Sequence, residues 1–257
     1  MLLRRITEHI KTQNWTAVFL DFVIVVVGVF IGIQVANWND ARGDRTTELQ
    51  YLSDLRRNLV EDRVEYSRTL ETIVSRVGAI NFALMQAHGE APPSGIALPV
   101  GDLSNLVSSE ISFPNAPAPR AEDYASLWAT INFARIVDSK SGTYNALVGS
   151  GDIGLIRDQK LVGELHTYYR LSSGVSDVQR KFFSFGEDSM IGAGRRYGLS
   201  PFESVEASRL IALVRENAEL AVYLRQERQK AALQSGLVAG MDRRAEQLVS
   251  MIDGDKQ

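Results

Sequence analysis

The 257-residue chain contains no cysteine, which excludes disulfides, thiolate metal sites and a cysteine nucleophile. It has only three histidines, His9, His88 and His166, too far apart for the H-E-x-x-H spacing of a helical zinc site. No serine sits in a G-x-S-x-G elbow, so nothing points to an α/β-hydrolase. Charge of one sign is also lacking: 28 basic against 31 acidic residues leave a net charge of −3. A nucleic-acid partner is therefore not expected, because phosphate contacts need clustered Lys and Arg. Proline is scarce outside one stretch and alternating β-branched runs are few, which argues against an all-β fold. No repeat of about 20–50 residues is present.

What the chain does have is one long apolar run. Residues 16–36 hold 21 residues with only Asp21 and Gln34 as strongly polar members. At about 1.5 Å per residue they make a helix of about 31 Å, against a hydrocarbon thickness of about 30 Å. Trp15 and Trp38 bracket the run where indole rings prefer to sit, giving a transmembrane helix over 15–38. A buried helix of a soluble protein would need a body able to surround the whole run. A cleaved signal peptide would have a shorter apolar region, about 7–15 residues, ending in a small-x-small site. An uncleaved anchor fits better. Arg4, Arg5 and Lys11 precede the span and Arg42, Arg45 and Arg56 follow it; proximity and the N-terminal amine favour a cytoplasmic N-terminus. Residues 1–14 read as a cytoplasmic amphipathic segment, with Leu2, Leu3, Ile6 and Ile10 on one face and Arg4, Arg5, Glu8 and Lys11 on another.

Within the span, Gly28-Val-Phe-Ile-Gly32 is a G-x-x-x-G extended by Ala36. Small residues four apart allow close approach of a second helix. Asp21 and Val25 fall on roughly the same face, and an intramembrane acid usually faces protein or water. The face Asp21, Val25, Gly28, Gly32 and Ala36 is therefore expected to pack in a homo-oligomer or against a membrane partner, with the bilayer as the other partner.

Beyond the span, residues 39–257 read as a helical-bundle domain. Leu52, Leu55, Leu59, Tyr66, Leu70, Ile73, Val77, Ile80 and Leu84 recur at spacings of three and four, with one gap of seven in which Asp62 occupies the core-like position. That is a period near 3.5, that of a bundle or coiled-coil helix. Seven Arg and eight acids between Asp40 and Arg76 make a solvated, ion-paired face. No proline or turn cluster separates Asn37 from Glu48, so this helix is expected to continue the membrane span.

Six of the seven prolines fall in residues 89–119, which form a connector. Its Ile96, Leu98, Leu103, Leu106, Ile111 and Phe113 predict that it lies against the bundle, with a short helix near Leu103–Ser108. Helices are then expected over 122–137, with Leu127, Ile131 and Ala134 inward, and over 142–148. A third, capped by Asp158, carries Leu161, Leu165 and Tyr168. Ser200-Pro-Phe-Glu203 reads as a capping box with proline at the first helical position, opening a last helix over 202–251.

Candidate chemistry is sparse. Gly149-Ser-Gly-Asp-Ile-Gly154 matches G-x-G-x-x-G, but a helical run precedes it and Arg170–Gly174 occupy the place of a ribose-binding acid; a glycine turn explains it. His166, beside Tyr169 and Arg170, could line a ligand pocket or sense pH, with Trp128 and Tyr144 as aromatic walls. Neighbouring carboxylates such as Glu61 and Asp62 point to different helix faces and make poor acid–base dyads. No cofactor, metal or catalytic residue is expected.

Two stretches together resemble an uncharacterised family of bacterial single-span membrane proteins. One is 21–40, with an acid, a glycine-containing apolar run, Gln34, then Asn37-Trp-Asn39 at the membrane exit. The other is 143–169, with Tyr144-x-x-Leu147-x-x-Ser150-Gly151, Leu155-Ile156, and the pair Tyr168-Tyr169. Asp21 and Ala36 stand where that family often carries Glu and Asn. The resemblance implies a bacterial membrane protein, expected here in the inner membrane, and brings no catalytic residues. The expected fold is all-α, an N-terminal transmembrane helix followed by an elongated antiparallel bundle of about four main helices. The expected function is a membrane-anchored sensory or protein-interaction module with its bundle in the periplasm. The alternatives are an oligomer with an ion or proton path at Asp21, and an enzyme with a scattered site near His166, Tyr169 and Arg170.

Overall fold

The computed structural model describes the backbone of residues 15–97 and 110–254, and the side chains of 18–97, 111–181 and 194–254. The expected amphipathic segment 1–14 and the short helix near Leu103–Ser108 lie outside the described residues. Helices dominate, in the order α1 (Trp15–His88), α2 (Leu127–Asn132), α3 (Gly142–Ser150), α4 (Gln159–Arg196), α5 (Ala207–Glu216) and α6 (Ala218–Gly254). The chain divides between Tyr51 and Leu52 into two compact units.

In the first unit, α1 carries the apolar run with none of the described residues packed on it. Phe19, Phe22, Val25, Phe30 and Ile31 are each more than half exposed. This stretch is long and apolar enough to cross a membrane. It gives way to a polar helix in which Arg42 lies over the Trp38 ring at 5.9 Å and Arg45 pairs with Glu48 at 2.8 Å.

The second unit begins with the first fully buried leucine of the stripe. Leu52, Leu55, Leu59, Tyr66, Ile73, Val77, Ile80 and Leu84 are all buried, while Leu70 is only half-buried and Thr69 takes the interior place beside it. Buried apolar area of this kind is the main source of stability. Arg56, Arg63 and Arg76 of α1 pair with Asp253, Asp242 and Glu227 of α6 in descending order, so these helices are antiparallel. Helix α4 is also antiparallel to α6, as the pairs Glu164–Arg244 and Gln179–Gln234 show. Helices α1 and α4 therefore run the same way. Three long helices, not about four in simple alternation, build this unit, because the connector and the short α2 and α3 return the chain before α4 starts.

The connector is not wholly irregular. Strands β1 (Gly95–Ala97) and β2 (Glu110–Ser112) pair antiparallel, with Ile96 opposite Ile111, a small exception to the all-α expectation. Ile111 is buried, Phe113 lies under the Arg228 guanidinium at 5.8 Å, and Pro117 passes so close to α1 that a Cβ on Gly78 would meet its carbonyl oxygen at 2.4 Å. The described part of the connector after residue 110 thus packs on α1 and α6.

Two helices differ from the sequence expectation. In place of one helix over 122–137, a 3-10 turn (Ala121–Ser126) leads into α2, which stops at Asn132. The stop is tertiary: Arg76 Nε donates to the Ile131 carbonyl at 2.7 Å, and Asn132 Nδ2 folds back onto the Trp128 carbonyl at 2.8 Å. Ala134 is consequently only half-buried in extended chain. At Ser200–Glu203 half of the box forms, with Ser200 N–H donating to the Glu203 carboxylate at 2.8 Å while the Glu203 N–H turns to the Ser200 carbonyl, and no helix starts there. Trp128 Nε1 holds the Ser200 carbonyl at 2.8 Å and Val205 N–H bonds the Ala125 carbonyl, so the chain stays open until Ala207. Asn217, extended at φ −124°, then separates α5 from α6.

Candidate functional site

The most unusual feature of the interior is the carboxylate in the apolar stripe of α1. Asp62 is 1% exposed. Its Oδ1 accepts the backbone N–H of Lys140 at 2.8 Å and its Oδ2 accepts the Tyr168 hydroxyl at 2.8 Å. The Tyr66 hydroxyl lies 2.9 Å from that of Tyr168 and donates to it, since the Tyr168 proton is already given to Asp62. Ser172 is the next polar neighbour of Tyr66, and its Oγ meets Ser139 Oγ. A line of hydroxyls therefore leads from the buried carboxylate toward the half-buried Ser139.

Local sequence explains the placement. Tyr66 follows Asp62 by one helical turn, and Tyr168 precedes Ser172 by one turn on α4, so each helix presents two polar groups on one inward face. The 3-10 turn and glycine after α3 carry the chain into α4; Gly151 takes φ +85°, and Asp158 caps α4 by accepting from the Lys160 and Leu161 N–H groups. Glu61 and Asp62 together pin residue 140: Glu61 takes the Lys140 ammonium outside, Asp62 the backbone inside.

Electrostatics follow burial. Desolvation raises the Asp62 carboxyl above its ordinary value, although the Lys140 N–H and the Tyr168 hydroxyl oppose the rise. Desolvation likewise raises the Tyr66, Tyr168 and Tyr169 phenols, which stay protonated. Glu61 is instead held below the usual range by its Lys140 hydrogen bond. The arrangement can hold or release one proton at Asp62. Among the described residues, no group of three or more His, Asp or Glu side chains could hold a metal.

An aromatic group adjoins this network. Tyr144 of α3 stacks on Tyr169 at 4.1 Å and meets His166 edge-on at 5.7 Å, with its hydroxyl bonded to His166 Nδ1. Tyr168 and Tyr169 cross at 83°. Tyr169 is 6% exposed and its hydroxyl is buried without a partner. Tyr169 lines a cleft of about 350 Å³ whose wall includes Ser139, Ser141, Ser172, Ser173 and Ser176. Tyr168 lines a second cleft, of about 710 Å³, between α4 and α6. The Asp62 network thus separates two surface openings.

The expected pocket is assembled only in part. Tyr144, His166 and Tyr169 come together, but His166 is exposed, which weakens the enzyme reading. Arg170 is exposed and takes no part in the group. Trp128 is fully buried elsewhere, in the cluster formed with Ile80, Leu84, Leu210 and Leu224. On the apolar run, Asp21, Val25, Gly28, Gly32 and Ala36 are exposed, and a Cβ at Gly28 or Gly32 would meet nothing within 4 Å. Sequence reasoning did not assign a site to Asp62, Tyr66, Tyr168 or Ser172; the one available signal was an acid at a core position of the stripe. Comparison with family models, with curated proteins and with solved structures found no match to this chain.

Proposed function

We propose that this chain is a single-span protein of a bacterial inner membrane whose helical unit serves as a sensory or protein-interaction module. The observation that carries the reading is the bare apolar run of α1. Its 18-residue window has mean hydropathy 2.6 with none of it buried. Leaving so many Val, Ile and Phe side chains in water would cost about 25 cal/mol for each Å² of apolar surface, so lipid or another helix must cover them. The resemblance of residues 21–40 and 143–169 to bacterial single-span proteins supports the same reading. The N-terminus is cytoplasmic and residues 52–254 are periplasmic. Association runs through the Asp21, Val25, Gly28, Gly32 and Ala36 face, where the open space beside both glycines leaves room for a second backbone.

The absence of cysteine makes the test direct. Thr7→Cys and the exposed Ser67→Cys each introduce a unique thiol. With a membrane-impermeant maleimide on cells whose outer membrane has been opened, Ser67→Cys is labelled at once and Thr7→Cys only after lysis. The opposite pattern overturns the orientation, and release of the protein by alkaline carbonate overturns the anchor.

A further inference from the structure

The larger cleft gathers unpaired cations in one space. Most described arginines are matched: Arg56, Arg57, Arg63, Arg68, Arg135, Arg180, Arg196 and Arg225 each face a carboxylate at hydrogen-bond range. The cleft between the start of α4 and the end of α6 gathers Lys160, Arg243 and Arg244. Lys160 and Arg243 are exposed and have no ion-pair partner among the described residues. Arg244 faces Glu164 at only 3.8 Å. The other acid of the wall, Glu246, is already engaged by Arg63 at 3.1 Å. Two cations are thus left over, both opening into one space.

That space is too large for a bare anion. Its volume, about 710 Å³, falls within the range of about 300–1,000 Å³ typical of small-molecule sites. Leu248 and the ring of Tyr168 supply an apolar floor. Guanidinium groups bind phosphate through paired N–H donors, and an ammonium beside them adds a mobile point charge.

The geometry points to this α4–α6 cleft as a binding site for a phosphate-bearing organic anion, with Lys160 and Arg243 as the recognising cations. The inference stands apart from the anchor reading, since every residue in it belongs to 159–254. A soluble phosphoester and the headgroup of an anionic phospholipid share this chemistry.

The test uses the full chain in phosphatidylcholine nanodiscs. Calorimetric titration with glycerol 3-phosphate tests the soluble source. Comparison of thermal midpoints between these discs and discs containing phosphatidylglycerol tests the lipid source. Either signal supports the site if Lys160→Gln with Arg243→Gln abolishes it, or weakens binding about tenfold or more, while Arg209→Gln, a free exposed cation outside the cleft, leaves it intact. The double variant must keep the wild-type midpoint in phosphatidylcholine, which both exposed positions allow. No heat and no midpoint shift overturns the proposal, as does an equal loss in the Arg209→Gln chain.

Discussion

Removing Glu227 should destabilise the bundle more than any substitution on its surface, and the size follows from burial. Arg76 and Glu227 are each only 2% exposed. The guanidinium spends Nε on the Ile131 carbonyl at 2.7 Å and Nη2 on Glu227, while Nη1 has no partner. Glu227→Leu therefore leaves a buried cation with one neutral hydrogen bond, and breaking a buried pair from one side costs about 3–5 kcal/mol. Arg76→Met costs less, because Lys230 still reaches the Glu227 carboxylate at 2.8 Å; the loss then includes the orphaned Ile131 carbonyl, about 1–3 kcal/mol. Arg76→Met with Glu227→Leu removes both charges and should cost only about that carbonyl penalty. The cycle predicts that the double variant is more stable than Glu227→Leu alone. Urea unfolding of the full chain in detergent, followed by far-ultraviolet dichroism, measures all four corners. If the single losses simply add to within about 0.5 kcal/mol, the pair is not the coupled unit described and the reasoning fails.

Three further outcomes are expected. The Asp62 carboxyl titrates higher in the folded chain than its unfolded value of 3.8, so folding takes up a proton there. Wild type should therefore gain stability relative to Asp62→Asn as pH falls from neutral toward that value, and a pH-independent difference in unfolding midpoints would refute the assignment. Gly78→Ala places a methyl 2.4 Å from the Pro117 carbonyl oxygen and should cost about 1–3 kcal/mol, whereas Gly163→Ala, with open space around it on an exposed helical face, should be neutral or stabilising in the same thermal melt. Gly28→Leu with Gly32→Leu should abolish self-association in analytical ultracentrifugation in matched detergent; sedimentation unchanged from the parent would remove that face from the interface.

Much of the architecture was legible because it is local. The spacing from Leu52 to Leu84 gave α1 its buried face, and Asp158 placed the start of α4 to the residue. The register even set Asp62 in the core row, which is the one visible trace of the polar network. Its partners were not legible. Tyr168 and Lys140 lie 106 and 78 residues from Asp62, and no periodicity connects them. The early end of α2 was hidden for the same reason: Arg76, 55 residues away, takes the Ile131 carbonyl that a continuing helix would have used. At Ser200 the local signal was sound and its reciprocal bond forms, but Trp128 claims the same residue's carbonyl. Trp128 was placed in the pocket on residue type alone, and the fold buries it in a different cluster.

The buried polar groups have a collective consequence. Three layers cross the long helices in succession: Asp62 with Tyr66 and Tyr168, Gln179 with Gln234, and Arg76 with Glu227. The middle layer also fixes the extended chain after α2, since Gln234 donates to the Arg135 carbonyl at 2.7 Å and Gln179 to that of Val137 at 3.2 Å. Apolar side chains tolerate small slips between helices; a hydrogen-bonded layer does not, because a slip leaves buried donors and acceptors unmatched at about 1–3 kcal/mol each. A one-turn slide of α1, about 5.4 Å, would break the first and third layers at once.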